Sequence, residues 1–260
     1  MKWRRRGALA VIGGWGLVAL LAPWLSPHDP LANFAPLLQP GSTGFWLGTD
    51  HVGRDSLSRL IWGARPVVLL SLAATTLAYA IGVAAGLVAG YRGGRTDGVL
   101  SFFANVVLAF PVLVLYLVII TALGPSNLNV VVAITLGSAP AVFRIVRDQA
   151  ASLARRDFIA AALTQGEAQW RILIVEILPN AAPPLATDAC LRLGYSVMMV
   201  GALGFLGLGL PPPAPDWGGM VTDGRALVFA FPHLILFPCI AIASLVLSLG
   251  VLADDLGPAR

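Results

Sequence analysis

Side chains able to do chemistry are sparse in these 260 residues, and they do not converge. The histidines His28, His51 and His233 are scattered, and none has a second ligand at the spacing a metal site requires. Cys190 and Cys239 form no C-x-x-C pair and cannot build a disulfide framework, so they read as small buried hydrophobes. Lys2 is the one lysine among seventeen basic residues. A phosphate-binding loop of the G-x-x-x-x-G-K-S/T kind needs a lysine that reaches the β- and γ-phosphates, and Schiff-base chemistry needs one inside the fold. Neither is available. Any nucleotide that drives this protein must be held by another chain, and no metal or cofactor is expected in this one.

The elements around these residues are membrane elements. Hydrophobic residues make up 57%, charged residues 12%, and the mean hydropathy is +0.82. A water-soluble domain is about a quarter charged, so this chain cannot cover a water-facing surface. A spanning helix needs about 20 apolar residues. Charge-free runs occur at 7–27, 66–91, 98–143, 193–215 and 226–253. The third, of 46 residues, is too long for one helix and is divided by the turn cluster Gly124-Pro125-Ser126-Asn127-Leu128-Asn129. Six transmembrane helices result. The first run could be a cleavable signal peptide behind Lys2, Arg4, Arg5 and Arg6. Its apolar stretch is too long for that and no clear A-x-A site follows, which favours a retained anchor.

With the N-terminus inside, the segments 1–6, 92–97, 144–192 and 254–260 face the cytoplasm and hold thirteen basic residues. The other side holds four, Arg54, Arg59, Arg65 and Arg225. That asymmetry obeys the positive-inside rule and explains the basic pI without nucleic acid. Both termini are expected in the cytoplasm. No ionisable residue lies near the middle of the first five runs, and only His233 enters the sixth, near its outer end. This argues against a proton-coupled carrier, leaves sodium coupling through carbonyls open, and gives a transmembrane hydrolase no catalytic constellation.

Small residues recur instead. Gly201, Gly204 and Gly207 are spaced by three, with Gly209 following, and Gly82, Gly86 and Gly90 are spaced by four. Such spacing suits close helix packing or a smooth translocation wall. In the outer segment, Asp55 and Arg59 stand at i, i+4 in the favoured acid-first order, on a helix that braces the second span or receives a partner. Pro211-Pro212-Pro213 and Pro215 stiffen the last outer loop as part of a gate, and Trp217 beside them reads as gate or interfacial anchor. In the inner segment, Asp157 is placed to N-cap a short helix that Gly166 ends in the left-handed conformation. A second helix follows to about Leu178, where Pro179 stops it, with Trp170, Leu173, Ile174 and Ile177 as one apolar stripe. The pair fits a groove on a partner or rests on the bilayer.

This inner segment resembles the cytoplasmic coupling loop of ABC-importer permeases, E-A-A-x-x-x-G followed about a dozen residues later by L-P. Ala161, Ala162, Gly166, Leu178 and Pro179 match it, whereas Ala160 occupies the glutamate position and Glu176 a position usually apolar. Two further stretches resemble the dipeptide/oligopeptide/nickel permease family. One is Leu47-Gly48-Thr49-Asp50 with Gly53-Arg54-Asp55, Ser58-Arg59-Leu60 and Gly63-Ala64-Arg65. The other is Leu203-Gly204-Phe205-Leu206-Gly207-Leu208-Gly209 with Pro213, Pro215 and Trp217-Gly218. The resemblance implies an all-α integral membrane protein with the type I ABC-importer permease fold, in a bacterial inner membrane. It implies an anchor helix and outer segment over 1–65, and a permease domain over 66–260 whose coupling loop spans about 144–192. It implies half of a heterodimeric pathway, completed by a homologous permease, two ATP-binding subunits that hold ATP and Mg, and a solute-binding protein. Short peptides are the implied substrate, with nickel or metal chelates as the alternative. The chain is then a transport subunit and no enzyme. A stand-alone secondary carrier is the competing class, and it would act without ATPase subunits.

Overall fold

The computed structural model describes residues 2–34, 36–37 and 39–257. Its elements are helical: α1 (Lys2–Leu25), α2 (Ser56–Arg92), α3 (Gly94–Leu108), α4 (Val112–Leu123), α5 (Asn127–Leu153), α6 (Asp157–Thr164), α7 (Gln169–Arg171), a π-helical stretch (Ile172–Ile177), α8 (Leu178–Phe205), α9 (Trp217–Gly224) and α10 (His233–Leu256). Among the described residues, α1, α2, α5 and α10 are long and apolar enough to cross a membrane, and α3 with α4 makes a fifth span if that bent pair is counted as one. α8 has 28 residues and packs between α2 and α10, but it carries charge and is not among them.

The helix boundaries depart from the hydropathy reading in three places. The run 98–123 is not one helix. Phe110-Pro111 breaks it and bends α3 against α4 by 86°, because proline lacks the N–H a continuing helix would use. The expected turn after it is present, with Ser126 as N-cap accepting from Asn129 N at 3.2 Å. The inner segment expected over 144–192 is shorter, since α5 continues to Leu153 and α8 begins at Leu178. The helix expected over 193–215 therefore starts fifteen residues earlier and ends at Phe205. Pro179 does not stop the chain. It sits in the first turn of α8, where its missing N–H costs little, and the wider π turn before it relieves the clash of its ring with the carbonyl four residues back. Arg260, one of the thirteen basic residues counted toward the cytoplasm, lies outside the described residues.

α2 and α5 are the central pair. An added Cβ at Gly82 would stand 2.7 Å from Val142 Cβ, and one at Gly86 2.7 Å from Val146 Cβ. At Gly90 it would run into the Arg147 carbonyl. The four-residue glycine spacing is thus the contact surface that lets α5 approach. Around this pair, Val67, Ala74, Ile134, Leu203, Trp217 and Leu245 form one buried cluster. A second, containing Val142, Val146, Ile159, Ile172 and Ile177, sits at the end of the bundle that carries α6 and the π stretch, called the elbow end below.

Candidate functional site

At the elbow end, Ile159 of α6 and Ile172 and Ile177 of the π stretch are fully buried against the end of α5. The apolar stripe expected over Trp170, Leu173, Ile174 and Ile177 does not exist as one face. In a π helix residues five apart share a face, so Ile172 and Ile177 turn inward while Trp170, Ile174 and Val175 are left exposed. Gly166 joins the two arms at φ 78°. Glu167 N donates to Ala162 O and Gly166 N to Leu163 O, both at 3.1 Å, the paired bonds of a glycine-terminated helix end. Arg156 occupies the N-cap of α6 without a side-chain bond, so Asp157 is the acid of the first turn instead of the cap. Ala161 is exposed and Ala162 buried, and Arg92 at the end of α2 reaches Gln169 Oε1 at 3.0 Å. The result is a firmly seated elbow with an exposed apolar outer surface of Phe158, Leu163, Trp170, Ile174 and Val175.

At the opposite end, the 48–65 segment folds into the start of α2. Gly48 and Gly53 take positive φ, Gly53 N closes a turn onto Asp50 O at 3.0 Å, and Thr49 bridges to Asp55. Asp50 accepts from Arg54 N at 3.0 Å and Arg54 Nε at 2.7 Å, and lies 3.4 Å from Arg59 Nε. The expected Asp55–Arg59 pair is absent. Asp55 is the N-cap of α2, accepting from Ser58 N at 3.2 Å and Ser58 Oγ at 2.5 Å, with His28 Nδ1 3.1 Å away. That role commits its carboxylate to the first-turn amides of Leu57 and Ser58 and to the Ser58 hydroxyl, and it makes no ion pair with Arg59. Arg59 instead reaches the carbonyls of Pro30 and Pro213, both at 3.4 Å, and ties two loops to α2. Arg65 lies over the Trp62 ring at 5.3 Å.

The glycines of α8 meet this assembly. Gly207 ends α8 at φ 75°, and Leu208 N donates to Leu203 O at 2.8 Å. Gly204 and Gly209 crowd the carboxyl of Asp216, where a Cβ on Gly204 would collide with Oδ2, and Gly218 packs against the backbone of Gly201 and Gly204. Gly201 faces Ile242 and Phe205 is exposed. Trp217 is no interfacial anchor. It is fully buried, donates from Nε1 to Leu60 O at 2.8 Å, stacks edge-on with Trp15 at 4.8 Å, and fills the space left by Gly63. A cavity of about 260 Å³ lies beside it, lined by Arg54, Arg59, Pro213, Asp216 and Asp223 among others.

Two groups escape the sequence reading. Asp188 and Arg192 form an ion pair at 2.7 Å inside α8, and Tyr79 of α2 joins them. Arg147 pairs with Asp97 at 2.5 Å between α5 and α3. The acid-first i, i+4 spacing of Asp188 and Arg192 is a usable signal, hidden by the assumption that Pro179 ends a helix. Among the described residues no group of three or more His, Cys, Asp or Glu side chains could hold a metal.

Among the described residues, both ends are built from helix ends and tied loops, with an exposed apolar surface at the elbow. Residues 82–256, from mid-α2 to the end of α10, match the model of the binding-protein-dependent transport system inner membrane component family. The chain belongs to this family. The dipeptide transport system permease protein DppC of Alkalihalophilus pseudofirmus is 36% identical over 98% of this chain and 86% of its own length. The probable D,D-dipeptide transport system permease protein DdpC of Escherichia coli K12 is 35% identical over 92% of this chain and 81% of its own. The glutathione transport system permease protein GsiD of Pectobacterium atrosepticum is 34% identical over 98% and 87%. Among solved structures, an inward-facing MetNI methionine ABC transporter chain superposes with TM-score 0.62 at 18% identity, covering 76% of this chain and 94% of that one. The fold is that of type I ABC-importer permeases, and the chain is a permease component of such an importer.

Proposed function

We propose that this permease forms half of an ATP-driven import pathway for short peptides. The observation that carries the substrate is near-full-length similarity, at 36%, to a dipeptide permease. The glutathione permeases extend the same chemistry to a tripeptide-sized thiol peptide. The relatives described above are dipeptide and glutathione permeases, which favours peptides over nickel.

In this reading the elbow end faces the cytoplasm, where the basic residues concentrate. The exposed apolar surface of the elbow seats in a groove on an ATP-binding subunit, with Ala161, Ala162, Gly166, Leu178 and Pro179 shaping it. A homologous permease completes the pathway, two ATP-binding subunits hold ATP and Mg, and a solute-binding protein delivers peptide to the Asp50–Arg59 and Asp216–Trp217 end. ATP-driven closure of the partners moves the elbow, and rigid helices carry the motion across the membrane. The segment 1–65 anchors and braces, and 66–260 forms the pathway half.

Reconstitution tests it. Proteoliposomes holding this chain with its partner permease and ATP-binding subunits should accumulate labelled alanyl-phenylalanine when supplied with binding protein and ATP. Accumulation without the ATP-binding subunits would establish a secondary carrier. No accumulation from an assembled, ATP-hydrolysing complex would remove the peptide reading.

A further inference from the structure

Asp188 and Arg192 lie on α8 with Arg192 Nε donating to Asp188 Oδ2 at 2.7 Å. Tyr79 of α2 donates to the same oxygen at 2.5 Å, with the Leu185 carbonyl 3.1 Å away. Two turns along α8, Thr75 Oγ1 and Ser196 Oγ are 2.9 Å apart. Tyr79 stands at the middle of the charge-free 66–91 run, so this contact places Asp188 near the centre of the hydrophobic layer. Ionisable groups at that depth are expensive and mark substrate or ion paths.

A purely structural account leaves part of the group unused. An ion pair within one helix does not join two helices, and α2 and α8 are already joined by Tyr79 and by the Thr75–Ser196 hydrogen bond, neither of which needs Arg192. Arg192 spends only Nε. Its Nη1 and Nη2 groups meet no acceptor among the described residues, and neither is sealed away from solvent in the core. Beside them, Leu191, Tyr195 and Met198 form the exposed face of α8. Turning a guanidinium with free amino groups toward acyl chains is costly, so this face belongs against protein or an aqueous path.

We propose that Arg192 is a carboxylate-binding residue of the translocation path, oriented by Asp188 and Tyr79, and that it receives the C-terminal carboxylate of a passing peptide. The inference rests on the peptide reading above. A guanidinium held at Nε presents its two remaining amino groups as a fork, the geometry that matches a carboxylate. Asp188 is a positioning residue. It fixes the fork and balances its charge, so an arriving carboxylate is held weakly enough to leave.

The test compares ATP-driven uptake of alanyl-phenylalanine and its C-terminal amide by the reconstituted complex, each variant being referred to wild type with the same peptide. Arg192→Gln should lower uptake of the acid about tenfold and of the amide less than about twofold, with assembly intact. Arg192→Lys should restore part of the loss. Asp188→Asn should raise the KM for the acid without lowering the maximal rate, and Asp188→Glu should reverse that shift. As a second measurement, Arg192→Cys in a chain carrying Cys190→Ser and Cys239→Ser should react with a water-soluble maleimide, and more slowly when alanyl-phenylalanine is present. Equal loss for both peptides, loss for neither, or no maleimide reaction of the Arg192→Cys chain would overturn the inference. A wild-type complex that imports neither peptide would instead overturn the peptide reading.

Discussion

Asp216 brings one carboxyl group into a cage of glycine backbone, and burial pushes its pKa up to about 6 from an ordinary 3.8. The Gly219 and Gly218 amides and the Arg59 charge oppose that rise without cancelling it. A carboxyl whose folded pKa is raised binds its proton more tightly folded than unfolded, so its contribution is largest below the unfolded pKa and declines as pH rises through the folded one. The Asp216 loop should therefore be more resistant to opening at pH 4 than at pH 7. Hydrogen exchange at the Gly218 and Gly219 amides, corrected for intrinsic rates, should show this, and Asp216→Asn should flatten the trend. Gly63 gives a second prediction at the same scale. A Cβ there would stand 2.7 Å from Trp217 Cδ1, inside a packed ring that cannot yield freely. Gly63→Ala should cost about 1–3 kcal/mol, read as a lower thermal midpoint in detergent, while Gly13→Ala, which meets nothing within 4 Å, should leave the midpoint unchanged.

Among the elements, the elbow is the part most legible in sequence, because a glycine between two short apolar helices states its own backbone requirement. Gly166→Val prescribes β-branching at φ 78°, where nothing else crowds the position, so the penalty is conformational, on the order of 1–2 kcal/mol. Membrane insertion should be normal, while association with the ATP-binding subunits weakens and substrate-stimulated ATP hydrolysis is lost. Ser152→Val, on the exposed last turn of α5, should change neither. What sequence reading misses has a common cause. Reading every proline as a helix end fails in this chain, since Pro111 breaks a helix whereas Pro179, Pro183 and Pro184 all lie inside α8 and Pro140 inside α5. Hydropathy finds runs without charge, so it cuts in two a helix that uses an internal Asp–Arg pair. The break at Pro111 fails in the opposite direction, since uninterrupted apolarity conceals an 86° bend. The outer network also eludes pattern reading. Whether Asp55 pairs with Arg59 or caps α2 depends on the turn before it, and no i, i+4 rule contains that turn.

For the whole molecule, the positive-inside distribution predicts that the elbow end is cytoplasmic. A cysteine introduced at exposed Ser152 should be shielded from an impermeant thiol reagent added outside intact cells, whereas one at exposed Thr43 should be labelled. The reverse pattern would invert the topology. Purified free of its partners, the chain should show no saturable ATP binding, because its one lysine lies at residue 2.

The helical path from Gln169 to Phe205 is unbroken, passing through the π stretch without a loop. α8 alone extends about 42 Å at 1.5 Å per residue, so it behaves as a stiff rod with one end at the elbow and the other beneath Asp216 and Trp217. Torque applied to the elbow meets no loop along α8, only the ladder bonds that Pro183 and Pro184 leave unmade in its early turns. The six-residue π stretch adds slack, since each of its turns already stores surplus chain. Deleting Val175 should let that stretch relax to α geometry and leave the angular position of Arg192 nearly unchanged. Deleting Leu191 should rotate the two halves of the rod by about 100° against each other. Peptide import should survive the first deletion far better than the second.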